Sequence, residues 1–131
     1  MKREFTIKER VRIYDTDLQG IVHYSGYYRF FTDALEQFAE KKLGDGFPVI
    51  AKDVMFVVVE SNARYHKSAA LGDVLNVRIT PELLSDKAIK FNFAIDRTGE
   101  EICDGFITQV LIDRKKWKAV PIPRILRNKL A

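Results

Sequence analysis

The sequence predicts an α+β fold in which a curved antiparallel sheet of five or six strands wraps a long central helix, with a short helix at the C-terminus. Apolar residues recur every three or four positions over residues 25–43, which is typical of a helix. Four segments with alternating apolar and polar residues follow, joined by turns too short for parallel crossovers. Polar positions on the helix are few, so the sheet must cover most of its circumference.

The first strand is predicted over residues 5–13, where the odd positions are apolar. Glu9 is the exception to this alternation. The strand leads directly into Asp15-Thr-Asp17, and Gly20 then marks a turn. Ser25 is the predicted N-cap residue of the central helix.

The central helix is predicted over residues 25–43, a length of about 30 Å. Lys41 and Lys42 lie where the helix dipole favours cations, and Gly44 can supply the C-cap. The apolar positions that define the helix are Tyr27, Phe30, Phe31, Ala34, Leu35, Phe38, Ala39 and Leu43.

A long strand is predicted over residues 54–67, after a connection at 45–48. Its first half, residues 54–59, is apolar on both faces, which indicates a central or interfacial strand. The last segment begins with proline and predicts a short helix over 121–130 with Ile122, Ile125, Leu126 and Leu130 on one face. Further strands are predicted over 75–79, 89–95, 102–112 and 117–120, with turns at 71–73, 81–86, 97–100 and 113–116.

Length and composition limit the kinds of protein this can be. A chain of 131 residues without a linker predicts one domain over residues 1–131. The 22 basic and 18 acidic residues are interspersed, which disfavours a nucleic-acid partner. One cysteine suits a reducing compartment. The first ten residues contain no apolar run typical of a leader, and the longest apolar run, residues 54–59, is too short to span a bilayer. We expect a cytoplasmic protein with no membrane partner.

The stretch over residues 14–28 is where we expect chemistry. It holds two carboxylates, Asp15 and Asp17, a glycine turn, His23 and a helix start. Acidic groups at the entrance to a buried helix are costly unless they are hydrogen-bonded or exposed to solvent. Taken alone, Asp17 is also explained as a carboxylate that caps a turn.

The same stretch resembles a known family. Asp15-Thr-Asp17, Gly20-Ile-Val22, Tyr24 and Tyr27 ahead of an aromatic helix are similar to the hotdog-fold acyl-CoA thioesterases of the 4-hydroxybenzoyl-CoA thioesterase family. Residues 64–73 and 119–123 also resemble that family. The resemblance implies a helix buried in a curved sheet and homodimers whose sheets join edge to edge. It further implies active sites at the subunit interface and pairs of dimers that form homotetramers.

The resemblance also assigns roles to individual residues. Asp17 corresponds to the catalytic acid, as a nucleophile or as a general base. The backbone N–H of Tyr24 would bind the thioester oxygen at the helix start. Asp15 is interpreted as structural. His23 departs from the patterns of the relatives, and it either orients water or Asp17 or lines the pocket.

The substrate implied by the resemblance is an acyl-CoA. We interpret His66 as structural or as part of the pocket rim. No metal is expected, because the two histidines lack ligand spacing, and no dissociable cofactor is required, since coenzyme A is part of the substrate. The acyl group, aryl or fatty, would contact Gly20, Ile21, Val22, Tyr27 and Phe31. The phosphates of coenzyme A would meet Arg64, Lys67 and Lys90.

Two other functions remain open at this point. A non-catalytic protein that binds and senses acyl-CoA would keep the pocket and the basic residues but would not need Asp17. An acyl thioester dehydratase of the same fold resembles this chain less, because the early strand-to-helix loop lacks the histidine followed by proline of that chemistry.

Overall fold

The computed structural model describes residues 4–44 and 47–131. The predicted connection at 45–48 therefore lies partly outside the described residues. The elements in chain order are β1 (Phe5–Arg10), α1 (Tyr27–Phe38), β2 (Val49–Ala51), β3 (Val54–Tyr65), β4 (Val74–Leu83), β5 (Ala88–Arg97), β6 (Glu100–Asp113), β7 (Lys118–Ala119) and α2 (Arg124–Leu130).

The strands form one antiparallel sheet in the order β1-β4-β5-β6-β3-β2, with β7 paired to β6. β1, β3, β4, β5 and β6 are the five long predicted strands, and β7 lies within the strand predicted over residues 117–120. β2 and β7 are pieces of three and two residues that extend the sheet at its margins. The predicted antiparallel sheet around one long helix is confirmed.

The core lies between α1 and the concave face of the sheet. Phe31 is fully buried, and its ring stacks on that of Phe93 with the ring centroids 4.6 Å apart. Gly105 on β6 permits this approach, because a Cβ there would collide with the carbonyl oxygen of Asn62 and would lie 3.0 Å from Phe31. The described helices include none with the length and apolar character needed to cross a membrane.

The start of the central helix differs from the prediction. β1 ends at Arg10, three residues early: the N–H of Val11 still donates to the carbonyl of Asp73 in register with β4, and a 3₁₀ turn at Ile13–Asp15 then takes the place of the predicted strand end. A 3₁₀ turn at Tyr24–Gly26 precedes α1. The prediction of Ser25 as N-cap is wrong, since its hydroxyl meets the ring of His23 and caps no helix.

The end of the central helix agrees with the prediction, whereas two later elements differ. The helix continues as a π-turn over Ala39–Leu43 and ends at Gly44, whose φ of +87° fits the predicted C-cap. β4 runs through Pro81, which lies beyond Ile79, the last residue paired with β1, so the missing N–H is tolerated. α2 begins only at Arg124. Ile125, predicted to be on its apolar face, is exposed.

Candidate active site

The loop between β1 and α1 is closed by backbone hydrogen bonds. Thr16 and Val22 form an antiparallel bridge, and the N–H of Asp17 donates to the carbonyl of Ile21 at 2.9 Å. Gly20 has a φ of +79°, which a glycine adopts without strain. Ile21 also bridges to Ala70, so the loop is held against the turn before β4. The sequence thus forms a short hairpin with Asp17 at its outer end.

Asp17 is exposed to solvent on this hairpin. Its Oδ1 accepts hydrogen bonds from the N–H groups of Gln19 at 2.8 Å and Ile21 at 3.4 Å. The turn therefore fixes one carboxylate oxygen and leaves the group open to a substrate. This geometry is compatible both with the catalytic interpretation and with the turn-capping one.

The helix start supplies hydrogen-bond donors. Tyr24 opens the 3₁₀ turn, and its carbonyl accepts the hydroxyl of Tyr65 at 2.8 Å. Within residues 4–44 and 47–131, no acceptor takes a hydrogen bond from the Tyr24 N–H. An unpaired N–H at the positive end of a helix can stabilise an oxyanion. The Tyr24 side chain is exposed, so its backbone is the part with a fixed position.

His23 lies opposite Asp15 on the hairpin. Its N–H donates to the carbonyl of Asp15 at 3.2 Å, and its Nδ1 lies 3.1 Å from the hydroxyl of Ser25. The contact with Ser25 restricts the ring, which leaves Nε2 for a substrate or a water molecule. The sequence expectation that His23 either orients a reactant or lines a pocket stays open.

Asp15 anchors the loop from inside. It is 2% exposed, and its two carboxylate oxygens accept Nε and Nη2 of Arg29, both at 2.6 Å. The N–H of Arg12 adds a bond of 2.8 Å. Burial alone would raise the pKa of the Asp15 carboxyl, but the bonds from Arg29 and Arg12 outweigh it and hold that pKa below its usual value. The predicted structural role of Asp15 agrees with these contacts.

Sequence reasoning missed Arg29, which is surrounded by three carboxylates. Besides Asp15, its guanidinium contacts Asp33 at 2.8 Å and Glu9 at 3.4 Å. Hydrogen bonding to Asp15 is the main reason that the pKa of Arg29 is raised. Its guanidinium also stacks near the ring of Tyr14, 5.2 Å from the centroid. The available signals were Glu9 at an apolar position of β1 and the i,i+4 pair of Arg29 with Asp33.

A cavity of about 280 Å³ lies beside the helix start. Tyr27 is buried there, and its hydroxyl accepts the N–H of Ala69 at 3.2 Å. Burial raises the pKa of Tyr27 and also that of Tyr65, whose ring centroid is 5.5 Å away. Four residues predicted for the site line this cavity, namely Val22, Tyr24, Tyr27 and Lys67. Its lining is Val22, Tyr24, Tyr27, Tyr65, His66, Lys67 and Ser68.

Other predicted substrate residues lie outside this cavity. Phe31 is fully buried against Phe93 and does not line this cavity, so its assignment to the acyl pocket stays a prediction. Gly20 and Ile21 hold the hairpin and do not line the cavity. Lys67 lines it, with its ammonium group 2.7 Å from a Glu100 carboxylate oxygen.

Arg64 and Lys90 line a separate groove of about 450 Å³ across β3, β6 and β5. Arg64 binds Asp104 at 2.9 Å, and Lys90 lies over the ring of Phe106 at 4.2 Å from the centroid. A phosphate at Arg64 would compete with the carboxylate of Asp104. The three predicted cations therefore do not form one cluster in the protomer.

His66, Glu101 and Asp104 bring potential metal ligands together, which the sequence did not predict. Their ligand atoms lie within 4.8 Å of one another. Nε2 of His66 is 2.9 Å from Asp104 Oδ2, and Arg64 bonds both oxygens of that carboxylate. Arg64 therefore supplies a positive charge where a metal ion would have to bind. The expectation of no metal site stays a prediction.

Comparison with known proteins identifies the family to which the chain belongs. Residues 11–130 match the Thioesterase-like superfamily. The chain is 31% identical over 124 residues to the long-chain acyl-CoA thioesterase FadM of Escherichia coli (strain K12), which covers 92% of each chain. It is 29% identical over 121 residues to a 1,4-dihydroxy-2-naphthoyl-CoA hydrolase of Prochlorococcus marinus (strain NATL2A), covering 84% of this chain and 78% of that relative.

A solved structure shows the same fold. A 1,4-dihydroxy-2-naphthoyl-CoA thioesterase from Synechocystis superimposes with a TM-score of 0.90, covering 98% of this chain and 96% of that one at 20% identity. The predicted hotdog fold is confirmed, and the class is that of the thioester hydrolases. The chain belongs to the thioesterase-like superfamily. Its narrower assignment to the 4-hydroxybenzoyl-CoA thioesterases stays a prediction.

Replacing Arg29 by lysine should destabilise the protein by about 2–3 kcal/mol, because an ammonium group cannot bond both oxygens of a buried carboxylate. Urea unfolding followed by circular dichroism measures this. The control is Arg78→Lys, whose exposed side chain is 3.9 Å from Glu4 and should change stability by less than about 0.5 kcal/mol. Equal effects of the two substitutions would show that the ion pair with Asp15 does not hold the loop.

The pKa of Glu9 predicts how stability depends on pH. Burial, followed by hydrogen bonding and repulsion from Asp33, raises this pKa from 4.5 to about 7. Between these values the folded protein holds a proton that the unfolded chain releases. The free energy of unfolding should therefore fall as pH rises through this window, by on the order of 1 kcal/mol.

Glu9→Gln tests this pH dependence, because the neutral amide cannot titrate. The thermal midpoint of Glu9→Gln minus that of the unmodified protein should increase as pH rises from 4.5 to 7. Glu4→Gln, at an exposed position, should leave the pH profile unchanged. Parallel profiles for Glu9→Gln and the unmodified protein would contradict the assignment.

Proposed function

We propose that the protein hydrolyses an acyl-CoA thioester to a free acid and coenzyme A. One observation carries the proposal: a single closed hairpin presents the exposed carboxylate of Asp17 and leads into a helix start with an unbonded Tyr24 N–H. Attack on a thioester carbonyl requires a nucleophile or a base and donors for the developing oxyanion. Membership of the thioesterase-like superfamily supports the same reaction.

Two routes use these groups. In the first, an Asp17 oxygen attacks the carbonyl carbon and the C–S bond breaks. The thiolate of coenzyme A leaves and takes a proton from solvent, and water then cleaves the acyl–aspartyl anhydride. In the second, Asp17 takes a proton from a water molecule as that water attacks, and the thiolate leaves with the proton. A burst of thiol release in the first turnover would favour the covalent route.

The acyl group is proposed to enter beside Tyr24, where the cavity of about 280 Å³ is lined by Tyr24, Tyr27 and Tyr65. Similar proteins carry the names of both a long-chain and a naphthoyl thioesterase, so the proposal includes fatty and aryl groups. A panel of short, long and aromatic acyl-CoAs, with thiol release as the readout, separates them. Binding without thiol release would favour an acyl-CoA sensor instead.

A second copy of the chain is the proposed partner, joined along the free edge of β3. One edge of β3 pairs with β6, whereas in the described part of the chain the other edge is covered only over residues 54–56, by β2 and by the carbonyl of Pro48, which accepts the Phe56 N–H. Val58 and Val59 beyond them are 57% and 58% exposed. An apolar strand with a free edge pairs readily with another strand. Further association of two dimers stays a prediction.

Asp17→Asn should lower kcat at least roughly 1,000-fold, because an amide can neither attack nor accept the proton of water. The amide oxygen can still accept the Gln19 N–H, so the hairpin should remain intact. The control is Asp113→Asn, whose carboxylate caps a turn in the same way through Lys115 and Lys116. Unchanged turnover in Asp17→Asn would remove Asp17 from the mechanism.

Val58→Lys should shift the protein from dimer to monomer at micromolar concentration, because pairing β3 edges would bury the added charge. Light scattering after gel filtration measures the mass. Val74→Lys is the control, since Val74 is 52% exposed on β4, away from this edge. A dimer that survives Val58→Lys and a matching charge at Val59 would place the interface elsewhere. The same measurement shows whether tetramers form.

A further inference from the structure

The side chain of Tyr65 joins the end of β3 to the start of the central helix. Tyr65 is the last residue of β3, and its hydroxyl donates to the carbonyl oxygen of Tyr24 at 2.8 Å. The two residues are 41 positions apart in the sequence, so this bond fixes the helix start relative to the sheet. Both residues line the cavity of about 280 Å³ beside the helix start. Neither route of hydrolysis uses the Tyr65 hydroxyl.

The backbone of Tyr24 depends on hydrogen bonds for its position. The Tyr24 side chain is 77% exposed, so packing of this side chain does not anchor the residue. On one side, the carbonyl of His23 accepts the Gly26 N–H at 2.8 Å, which orients the peptide group that carries the Tyr24 N–H. On the other side, the Tyr65 hydroxyl holds the peptide group that carries the Tyr24 carbonyl. Loss of either bond would widen the range of orientations open to the Tyr24 N–H.

Tyr65 is itself held in place. Its backbone pairs with Cys103 of β6, and its ring centroid lies 5.5 Å from that of Tyr27, a buried residue of the helix. Partial burial raises the pKa of Tyr65 above its usual value, so the hydroxyl keeps its proton at neutral pH and remains a donor. The position of this donor is therefore set by the sheet and by the first turn of α1.

Exposure of Tyr65 indicates what the bond contributes. The residue is 47% exposed, and a hydrogen bond that water can replace adds little to the stability of the whole fold. Its effect is local, because it limits the motion of one turn. Removal of the hydroxyl should therefore change the orientation of the Tyr24 backbone more than it changes the stability of the protein.

We propose that the Tyr65 hydroxyl is a positioning group that keeps the Tyr24 N–H directed at the thioester oxygen. This inference rests on the proposed hydrolysis. Tyr65 bonds the turn and not the reacting atoms, so it acts through Tyr24. A donor held in place before the reaction stabilises the developing oxyanion more than it stabilises the bound thioester. The contribution of Tyr65 therefore belongs to kcat and not to KM.

Tyr65→Phe tests the proposal, because it removes the hydroxyl and keeps the ring. We expect kcat for acyl-CoA hydrolysis to fall about three- to tenfold, the effect of one hydrogen bond, while KM stays within roughly twofold. Tyr28→Phe is the control and should leave kcat unchanged, since the Tyr28 hydroxyl has no hydrogen-bond partner in the described chain. An unchanged kcat in Tyr65→Phe, or a loss confined to KM, overturns the proposal.

Two further measurements separate a positioning role from a general loss of structure. The urea midpoint and the mass in solution of Tyr65→Phe should match those of Tyr28→Phe. A lower urea midpoint or a smaller mass in Tyr65→Phe alone would assign the loss of kcat to unfolding or to dissociation, and it would overturn the proposal.

Hydrogen exchange of the backbone amides gives a readout that does not require turnover. In Tyr65→Phe the amides of Gly26 and Tyr27 should exchange faster, because the turn opens more often, whereas the amides of β5 should not change. Faster exchange in a protein that hydrolyses no acyl-CoA would support the hold on Tyr24 and reject the proposed hydrolysis. Hydrolysis with kcat and exchange both unaffected by the substitution would reject the role of Tyr65 alone.

Discussion

The ion pair between Asp15 and Arg29 is the constraint on which the geometry of the candidate site depends. Asp15 is nearly inaccessible to solvent, and the guanidinium meets both of its oxygens at 2.6 Å. The carbonyl of the same residue accepts the N–H of His23, so Asp15 holds both arms of the hairpin. Asp17 follows Asp15 on the first arm, and Tyr24 follows His23 on the second. The side chain of Arg29 on α1 therefore fixes the position of Asp17 relative to Tyr24.

Three carboxylates share the single positive charge of Arg29 in this anchor. Glu9 from β1 and Asp33 from α1 share Arg29 with Asp15, and repulsion from Asp33 adds to the burial of Glu9. Protonation of Glu9 near neutral pH relieves that repulsion. The cluster thus joins the first strand, the hairpin and the helix through one guanidinium, and we expect the stability of their packing to depend on pH.

Periodicity predicted the elements well because it reflects local geometry. The aromatic helix, the five main strands and the hairpin at 97–100 all follow from spacings of two or of three and four. Periodicity does not predict contacts between residues that are far apart in the sequence. The partner of Asp15 lies 14 residues later, and its approach depends on the 3₁₀ turns. The burial of Phe31 and the engagement of Lys67 by Glu100 likewise depend on sheet register.

The division of work between the two carboxylates explains why the motif needs both. Asp15 is buried, and its carboxylate accepts hydrogen bonds from Arg29 and from the Arg12 N–H, so its charge stabilises the hairpin. Among the residues that the structure describes, Asp17 receives only backbone donors from its own turn, and its carboxylate stays exposed and open to a substrate. Exchanging their environments would leave a buried anion without a partner. The proposed chemistry therefore requires that the first carboxylate be structural and the second be free to meet a substrate.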